Sequence, residues 1–480
     1  MYAANAVLGI SPLPGLLQEP ILAVMPGFVF GFLIDTLQHA GKVVEEAGLV
    51  VAMILGLGVL GGAWGWASKR WGNPRWAMGF AAAGWVVVTM VLLPLSGDGF
   101  LGLNEGVTAP LTWALLFAIY GVVLQVGGDP AAESAPADRP ADPDRRRMLR
   151  WLPLGVGAVS LGALAFELAP RWYKSAFKPP ESGLSGVSPE ITPVRNFYVV
   201  SKNLVGDPNV SEQGWKLSVS GLVDSPLHMT LSDLRGLPST SEYVTLECVS
   251  NNVGGPLMST GKFTGVRLRD LIAMAAPQSR ATDIGFKAVD GYSETIPLSL
   301  VNGAPEILVA YALDDAPLPN GHGFPARILI PGHYGMKGPK WLQSIDLADH
   351  AEGGYWEQQG WDRNAIVKTT ARFDVPVDTA LLKLGSITIA GVAFAGTRGI
   401  QAVEYSTDAG RSWTPADFKP PLSELTWVTW RTTWSPPSEG SYTLKVRATD
   451  GTGSKQDPTK AMSYPDGASG YHTVRVDVSK

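Results

Sequence analysis

The chain has 480 residues, 45% of them hydrophobic and 17% charged, with a formal net charge of −5 at neutral pH. That balance gives no basic surface for nucleic acid, and it points to an apolar portion joined to an ordinary globular one. A single cysteine, Cys248, excludes an intrachain disulfide framework and any iron–sulfur or structural zinc site built on several thiolates.

The first third reads as membrane. Leu49–Ala67, Ala77–Leu95, Leu111–Val126 and Leu152–Leu168 are apolar runs of about bilayer length, and Ile21–Gln38, interrupted by Pro26 and Asp35, is a fifth. Trp64, Trp66, Trp71 and Trp76 gather near the ends of the first two strong runs, where interfacial aromatic belts sit. Lys69, Arg70 and Arg75 share one short loop, and Arg139, Arg145, Arg146, Arg147 and Arg150 another. The loop between the second and third strong runs holds Asp98 and Glu105 but no Lys or Arg. Positive loops stay inside, so the expectation is a multi-pass cell-membrane protein of about five helices whose chain after Ala169 is extracytoplasmic. Asp144–Arg150 resembles a twin-arginine export signal placed internally, the alternative being a plain positive-inside anchor. Gly128–Pro143 reads as a cytoplasmic linker.

The composition then becomes globular. The β-rich stretches Trp215–Val223, Tyr243–Leu246 and Ala326–Ile330 alternate with turns, and Leu231–Leu237 and Arg267–Ala275 read as short helices, an α+β pattern without a βαβ repeat. Near the C-terminus, alternating strands are expected at Ser386–Ala393, Ile400–Ser406, Thr426–Thr433, Ser441–Ala448 and Tyr471–Val478, the spacing of an all-β immunoglobulin-like sandwich. The expected division is a transmembrane region with linker over 1–178, an α+β catalytic domain over 179–374, and the sandwich over 375–480.

The stretch from Thr245 to Asn252 places Cys248 at the end of a strand, entering a polar turn. A thiolate suits a soft or highly covalent metal centre, and one cysteine cannot hold such a metal alone, so its other ligands must come from a cofactor. The segment resembles the cysteine loop of the sulfite oxidase family, in which a single cysteine binds molybdenum beside a pterin dithiolene. The resemblance runs from Val194 to roughly Asp374, through Pro193–Tyr198, then Gly321–Arg327 with Pro331, Gly332 and Gly335, then Lys337–Trp341. It implies a molybdenum–molybdopterin cofactor, Cys248 as metal ligand, and cofactor contacts from Asn196, Phe197, Tyr198, Asn251, Asp290, His322, Arg327, Gly338 and Lys340. The residue types suit that role. Arg327 and Lys340 can donate to a phosphate tail, and His322 and Asn196 can pair with ring or phosphate atoms. The plain alternatives are a surface ion-pair arginine at 327 and a turn histidine at 322. The last segment resembles the family's C-terminal dimerisation domain, which implies a homodimer.

The departures from the family pattern set the substrate expectation. Asn252 and Val253 stand where sulfite oxidases carry two arginines after the cysteine, Arg195 is retained, and Trp361 replaces the family's active-site tyrosine. With Cys248, Arg195 and Trp361 at the reacting centre, a small S-oxide or N-oxide is expected rather than sulfite, because charge-assisted contacts to an oxyanion are lost. The alternatives are a sulfite oxidase-like dehydrogenase and a cofactor-free, membrane-tethered binding module. His39 is the only histidine before His228, so one chain cannot supply a bis-histidine haem, and electrons are expected from an external cytochrome or quinone-linked partner. His333, Tyr334 and His350 are expected at the surface or pocket rim.

Overall fold

The computed structural model describes residues 76–95, 100–105, 108–127, 186–203, 207–304 and 306–480, with isolated positions between 16 and 66. Ile21–Gln38 is represented by a single helical position and Leu49–Ala67 by scattered ones that include Gly58–Gly62, while Leu152–Leu168, the arginine-rich Asp144–Arg150 and the linker Gly128–Pro143 lie outside the described residues.

In the N-terminal unit, α1 (Trp76–Val87) continues through a π-helical turn at Val88–Leu92 to Leu93–Leu95, and α2 (Thr108–Gly127) packs against it. These coincide with two of the expected apolar runs. Val88, Leu93, Ala109 and Trp113 are buried between the two helices. The helices come close because their contact is made of small residues. A Cβ at Gly121 would lie 2.9 Å from the Cβ of Ala81, a geometry that lets backbones approach without help from water. Leu111, Leu115, Ile119 and Val122 form an exposed apolar stripe on α2. Among the described residues, Thr108–Gln125 is the one helix long and apolar enough to cross a membrane, and Ala77–Leu92 is a shorter apolar helix.

The second unit holds an α+β part and a β-sandwich. One sheet consists of β1 (Leu217–Gly221), β2 (Leu227–Met229), β5 (Asp283–Ala288), β6 (Ser293–Pro297) and β10 (Leu342–Ala348), in the order β2-β1-β10-β5-β6. The β1–β10 pair is parallel, Ser218 opposite Ser344, and joins segments far apart in sequence. Leu217, Val219, Phe286, Ile345 and Leu347 turn inward onto the short helices. Among these, α3 (Leu231–Gly236) is started by a capping box. Thr230 Oγ1 accepts from the Asp233 backbone N–H at 3.2 Å, and the Asp233 carboxylate accepts from the Thr230 N–H at 2.9 Å. In α4 (Leu268–Ala275), Leu268, Leu271, Ile272 and Ala275 repeat at helical spacing and are buried. A third helix, α5 (Leu298–Gly303), follows β6.

The other sheet, β3 (Thr240–Glu247), β4 (Met258–Arg267), β7 (Leu308–Leu313) and β8 (Ala316–Pro317), has β9 (Arg327–Leu329) paired to β7. Its core holds Val244, Leu246, Phe263, Leu308 and Leu329. All the motif loops leave this sheet. Cys248 follows β3, the Gly321–Phe324 segment leads into β9, and 331–341 runs from β9 to β10.

The sandwich packs a sheet of β11 (Thr370–Val375), β13 (Ile387–Phe394) and β16 (Val428–Trp434) on a second one. That sheet contains β12 (Ala380–Lys383), β14 (Ile400–Ser406), β15 (Thr414–Ala416), β17 (Gly440–Asp450) and β18 (His472–Ser479). Ile389, Trp430, Leu444, Val446, Val474 and Val476 fill the space between them. The five strands expected from alternation correspond to β13, β14, β16, β17 and β18, and the architecture is a β-sandwich consistent with the immunoglobulin-like kind. Its first strand begins at Thr370.

Candidate active site

Cys248 closes the β3–β4 hairpin. Its backbone N–H donates to the Leu257 carbonyl at 3.0 Å, and its Sγ lies 3.1 Å from Ser250 Oγ. The side chain is buried, and burial pushes the thiol above its ordinary range, Ser250 and Lys340 opposing. Asn251 holds the loop that follows. Its amide donates to Glu247 at 2.9 Å and its carbonyl oxygen accepts from the Leu257 N–H at 2.9 Å. The structure therefore uses the Asn251 side chain to shape the cysteine loop. Glu247 itself is buried, which lifts its carboxyl to about 7 against the pull of Asn251 and Arg372.

Three tyrosines surround this hairpin end. Tyr198, Tyr292 and Tyr334 all have phenols raised first by burial and further by the Cys248 charge. Tyr292 donates to the Met336 carbonyl at 2.6 Å. A Cβ at Gly335 would sit 2.9 Å from the Tyr198 hydroxyl and 3.5 Å from the Glu247 carbonyl, so the turn Gly335–Lys337 passes directly by. Tyr334 is only 3% exposed and belongs to an apolar cluster with Val249, Met336 and Trp361. The expectation of a surface or rim position for Tyr334 is corrected, because the loop after β9 folds back under the cysteine loop. Its signal in the sequence was adjacency to the Gly335–Trp341 motif.

Further along, a cationic cradle forms. Arg327 on β9 is 6% exposed, yet its guanidinium meets only backbone carbonyls, those of His322 and Gly338 at 3.3 Å and of Ile328 at 3.5 Å. No carboxylate pairs with it among the described residues, and burial lowers it to about 10. Gly323, at φ +104, lies so close that a Cβ would come 2.9 Å from the Cβ of Lys340 and 3.1 Å from that of Arg327. Only glycine fits such a left-handed, crowded turn. His322 is buried beside them and held down to about 4 by burial, then by Arg327 and Lys340, so it is neutral at physiological pH. Lys340 Nζ donates to the Gly321 carbonyl at 3.0 Å and rides 4.4 Å over the Trp341 ring. Trp341 adopts φ +52, strain held by its buried ring and by its indole N–H on the Asn320 carbonyl at 2.9 Å.

The remaining predicted residues fall in two groups. Phe197 is buried, edge-on to Phe263 and to His322, and backs the cradle as packing. The Val194–Asn196 turn before it is tied to β4 by Thr192 and by the Tyr198 N–H on Ser259 Oγ, with Arg195 exposed and Asn196 half-buried. Asp290 braces its own turn, accepting from the Tyr292 N–H at 3.1 Å. It thereby positions Tyr292, which the sequence reading missed. Trp361 is 4% exposed, edge-on to Tyr464, and its indole N–H meets no acceptor among the described residues.

These residues fit an anionic cofactor anchored by a thiolate. A buried guanidinium without a carboxylate is strongly unfavourable by itself, and a phosphate would satisfy it with charge-assisted bonds. Among the described residues no cluster of three or more His, Cys, Asp or Glu side chains could hold a metal ion by itself, so a metal at Cys248 needs ligands from the cofactor.

Residues 205–356 match the family model described as the oxidoreductase molybdopterin binding domain. Sulfite oxidase of Arabidopsis thaliana is 28% identical over 288 residues, covering 50% of this chain and 72% of that protein. Mitochondrial sulfite oxidase of Mus musculus is 27% identical over 311 residues, 55% of this chain and 56% of that one. The chain thus spans about half the length of the mitochondrial enzymes it matches. In fold, it is similar to the crystal structure of the sulfane dehydrogenase SoxCD from Paracoccus pantotrophus, with a TM-score of 0.53, 20% identity, and coverage of 63% of this chain and 86% of that one. The matched domain implies a molybdopterin cofactor, and the chain carries an oxidoreductase molybdopterin-binding domain and is an enzyme similar in sequence to the sulfite oxidases.

Proposed function

We propose that the protein is a membrane-anchored oxidoreductase that reduces a small, uncharged S-oxide or N-oxide, with Cys248 as the protein ligand to molybdenum. The observation that carries this reading is the separation of charge in the site. The buried Arg327 and the half-buried Lys340 gather around His322 and Gly323, while the cysteine loop presents Asn252 and Val253 and is walled by Tyr198, Tyr292, Tyr334 and the cluster of Val249, Met336 and Trp361. Positive charge is thus spent on an anionic cofactor tail and little is left for an anionic substrate.

When bound, the cofactor supplies the two-electron oxygen-atom-transfer chemistry. The chain's residues do the rest. Cys248 would hold the metal as a thiolate, with Ser250, 3.1 Å from its sulfur, steadying it. Arg327, Lys340 and neutral His322 hold the phosphate end, and Asn196 and the Gly338 backbone flank it. Trp361 closes the apolar side and offers its unused N–H to a substrate oxygen, and exposed Arg195 stands ready at the mouth. Electrons come from an external cytochrome or quinone-linked carrier.

The apolar stripe on α2 supports one membrane helix. From the apolar runs and basic loops of the sequence we propose a multi-pass anchor with the catalytic unit on the extracytoplasmic side, the Asp144–Arg150 segment guiding export. We further propose a homodimer formed through the sandwich. Full-length protein extracted in detergent should carry about one molybdenum per chain and oxidise a reduced dye with dimethyl sulfoxide or methionine sulfoxide. Sulfite-dependent reduction of an acceptor, with no S-oxide turnover, would replace this reading with the activity named in the relatives. Absence of molybdenum from a host that makes the cofactor would leave a tethered binding module.

A further inference from the structure

Behind the turn Gly335–Lys337, side chains from three elements meet out of water. Lys337 Nζ donates to Glu294 Oε1 at 2.7 Å, to Glu357 Oε1 at 2.6 Å and to the Thr295 carbonyl at 3.0 Å. The side chains of Glu294, Lys337 and Glu357 are 0%, 4% and 9% exposed. Glu294 lies on β6 and Glu357 on α6 (Tyr355–Gln358), so the lysine links both to the turn. Two carboxylates on one ammonium would leave a net negative charge in a closed, low-dielectric place, which is strongly unfavourable.

The geometry shows how that charge is avoided. Glu294 Oε2 has no donor within reach among the described residues. The Gly354 backbone lies against the same carboxyl so tightly that a Cβ there would be 2.4 Å from Oε1. A buried carboxyl oxygen without a donor is satisfied when it carries its own proton and gives it to a neighbouring acceptor, and Glu357 is that acceptor. Burial lifts Glu294 to about 8, with Lys337 pulling the other way. In Glu357, burial works against ionisation, but hydrogen bonds to Glu294 and Lys337 leave its carboxyl below the ordinary range. The other charged or titratable groups around the pair include Arg363, 3.9 Å from Glu357 Oε2, the His333 imidazole, which feels the Lys337 charge, and the phenols of Tyr292 and Tyr355. The two tyrosine rings lie 5.6 Å apart, and Lys202 Nζ is 5.1 Å over that of Tyr355.

We propose that Glu294 is a positioning residue that stays protonated at neutral pH and shares its proton with Glu357 across Lys337, tying the turn that leads to Gly338 and Lys340 to the segment that carries Trp361. The consequence for cofactor retention rests on the proposed function; the shared proton does not. Without the knot, the ammonium and both loop segments lose their common anchor. A neutral amide at 294 keeps the hydrogen bonds and removes only the titration.

The test compares detergent-extracted full-length wild type with Glu294→Gln and Glu294→Ala. The infrared carbonyl stretch of a protonated carboxyl should be present at pH 7 in the wild type and missing from the Gln variant by difference. A group whose folded pKa is raised takes up a proton on folding, so its stabilisation is complete below the unfolded value and is lost as pH rises through about 8. The wild-type Tm should therefore fall between about pH 5 and 8 more steeply than that of Glu294→Gln. Molybdenum per chain should stay within about twofold of wild type in Glu294→Gln and drop about tenfold or more in Glu294→Ala, the scale seen when an outer support of a metal site is lost. An unchanged infrared band and Tm profile in the Gln variant would overturn the shared proton. Full molybdenum content in the Ala variant would overturn the positioning role. If the Ala variant does not fold, Lys337→Met, which leaves an acid pair without its ammonium, takes its place in the molybdenum comparison. A wild type devoid of molybdenum would instead defeat the functional reading and leave the infrared and Tm arms to judge the proton.

Discussion

Two arginines of this protein are equally buried and differently served. Arg372, on β11, is 5% exposed and fully occupied. Its Nε donates to Asp374 at 3.0 Å, one terminal nitrogen to the Gly255 carbonyl at 2.6 Å, and the other to Ser188 Oγ at 3.2 Å. Arg327, 6% exposed, has three carbonyls at 3.3 to 3.5 Å and no anion among the described residues. Burying a charge is tolerated when the protein supplies the countercharge or when a ligand does. Arg372 is the first case, and it clamps the cysteine loop to the sandwich through Gly255. Arg327 is the second, and the energy lost in burying it is available to whatever anion binds there. The contrast separates an arginine that holds the fold from one that meets no anion among the described residues, and the Gly321–Arg327 motif marks the second as an expected cofactor contact.

Substitutions can break or sharpen that contrast. The largest effect is expected at Cys248, the proposed metal ligand. Cys248→Ser should keep the circular dichroism spectrum and Tm of the wild type and lose most activity, and wild-type turnover in a molybdenum assay would remove Cys248 from that role. Next comes the structural arginine. Arg372→Ala leaves Asp374 buried without its partner and should lower unfolding free energy by about 3–5 kcal/mol in a denaturant titration, the usual loss when one member of a buried pair is removed. Arg327→Ala should do the opposite of Arg372→Ala, leaving the cofactor-free protein within about 1 kcal/mol of wild type. Its cofactor occupancy should fall about 10–100-fold, the worth of a hydrogen bond to a charged group. Equal destabilisation by both arginine variants would erase the distinction.

The smallest effect at neutral pH is expected at His472. Its Nδ1 accepts from the Phe373 N–H at 3.0 Å, and a Cβ on Gly254 in the cysteine loop would fall 2.3 Å from its ring. Burial, then Arg372, holds this histidine down to about 4. A folded value below the ordinary histidine range means that its neutral form is stabilising above about 6.5 and that stability is lost as pH falls towards 4. His472→Gln should flatten the acid side of the Tm profile and leave Tm at pH 7.5 nearly unchanged. An acid limb identical to wild type would show that the loop contact does not sense protonation.

Much of the fold was legible from local pattern. Alternation located β13, β14, β16, β17 and β18, and helical spacing located α3 and α4, because in each the side chains that face the core recur with the period of the backbone. The short pieces escaped. Two-residue β8 and four-residue β12 are too brief to show a period and exist because neighbours offer them hydrogen bonds, whereas three-residue β9 falls inside the expected Ala326–Ile330 stretch. In the site, the lone Cys248 and the Gly321–Arg327 and Lys337–Trp341 motifs could be named in advance, since thiolate, guanidinium and crowded glycine each carry one kind of chemistry. Tyr292, the inward position of Tyr334 and the pairing of Lys337 with Glu294 and Glu357 could not, because these contacts join loops and strands distant in sequence.

By itself, the sequence determined the apolar N-terminal helices, the α+β and sandwich order, and the presence of a single thiol, Cys248, all properties of residue type and local spacing. Tertiary structure decided which residues of the motifs are spent on the fold and which are left for a ligand. Asn251 and Asp290 are consumed in bracing their own loops, Lys337 in an ion group, and Phe197 in packing, whereas Arg327 meets only backbone carbonyls and the Trp361 N–H has no acceptor among the described residues. The reason is physical. Whether a buried polar group is satisfied depends on every partner within about 3 Å, and those partners are brought there by the folded chain.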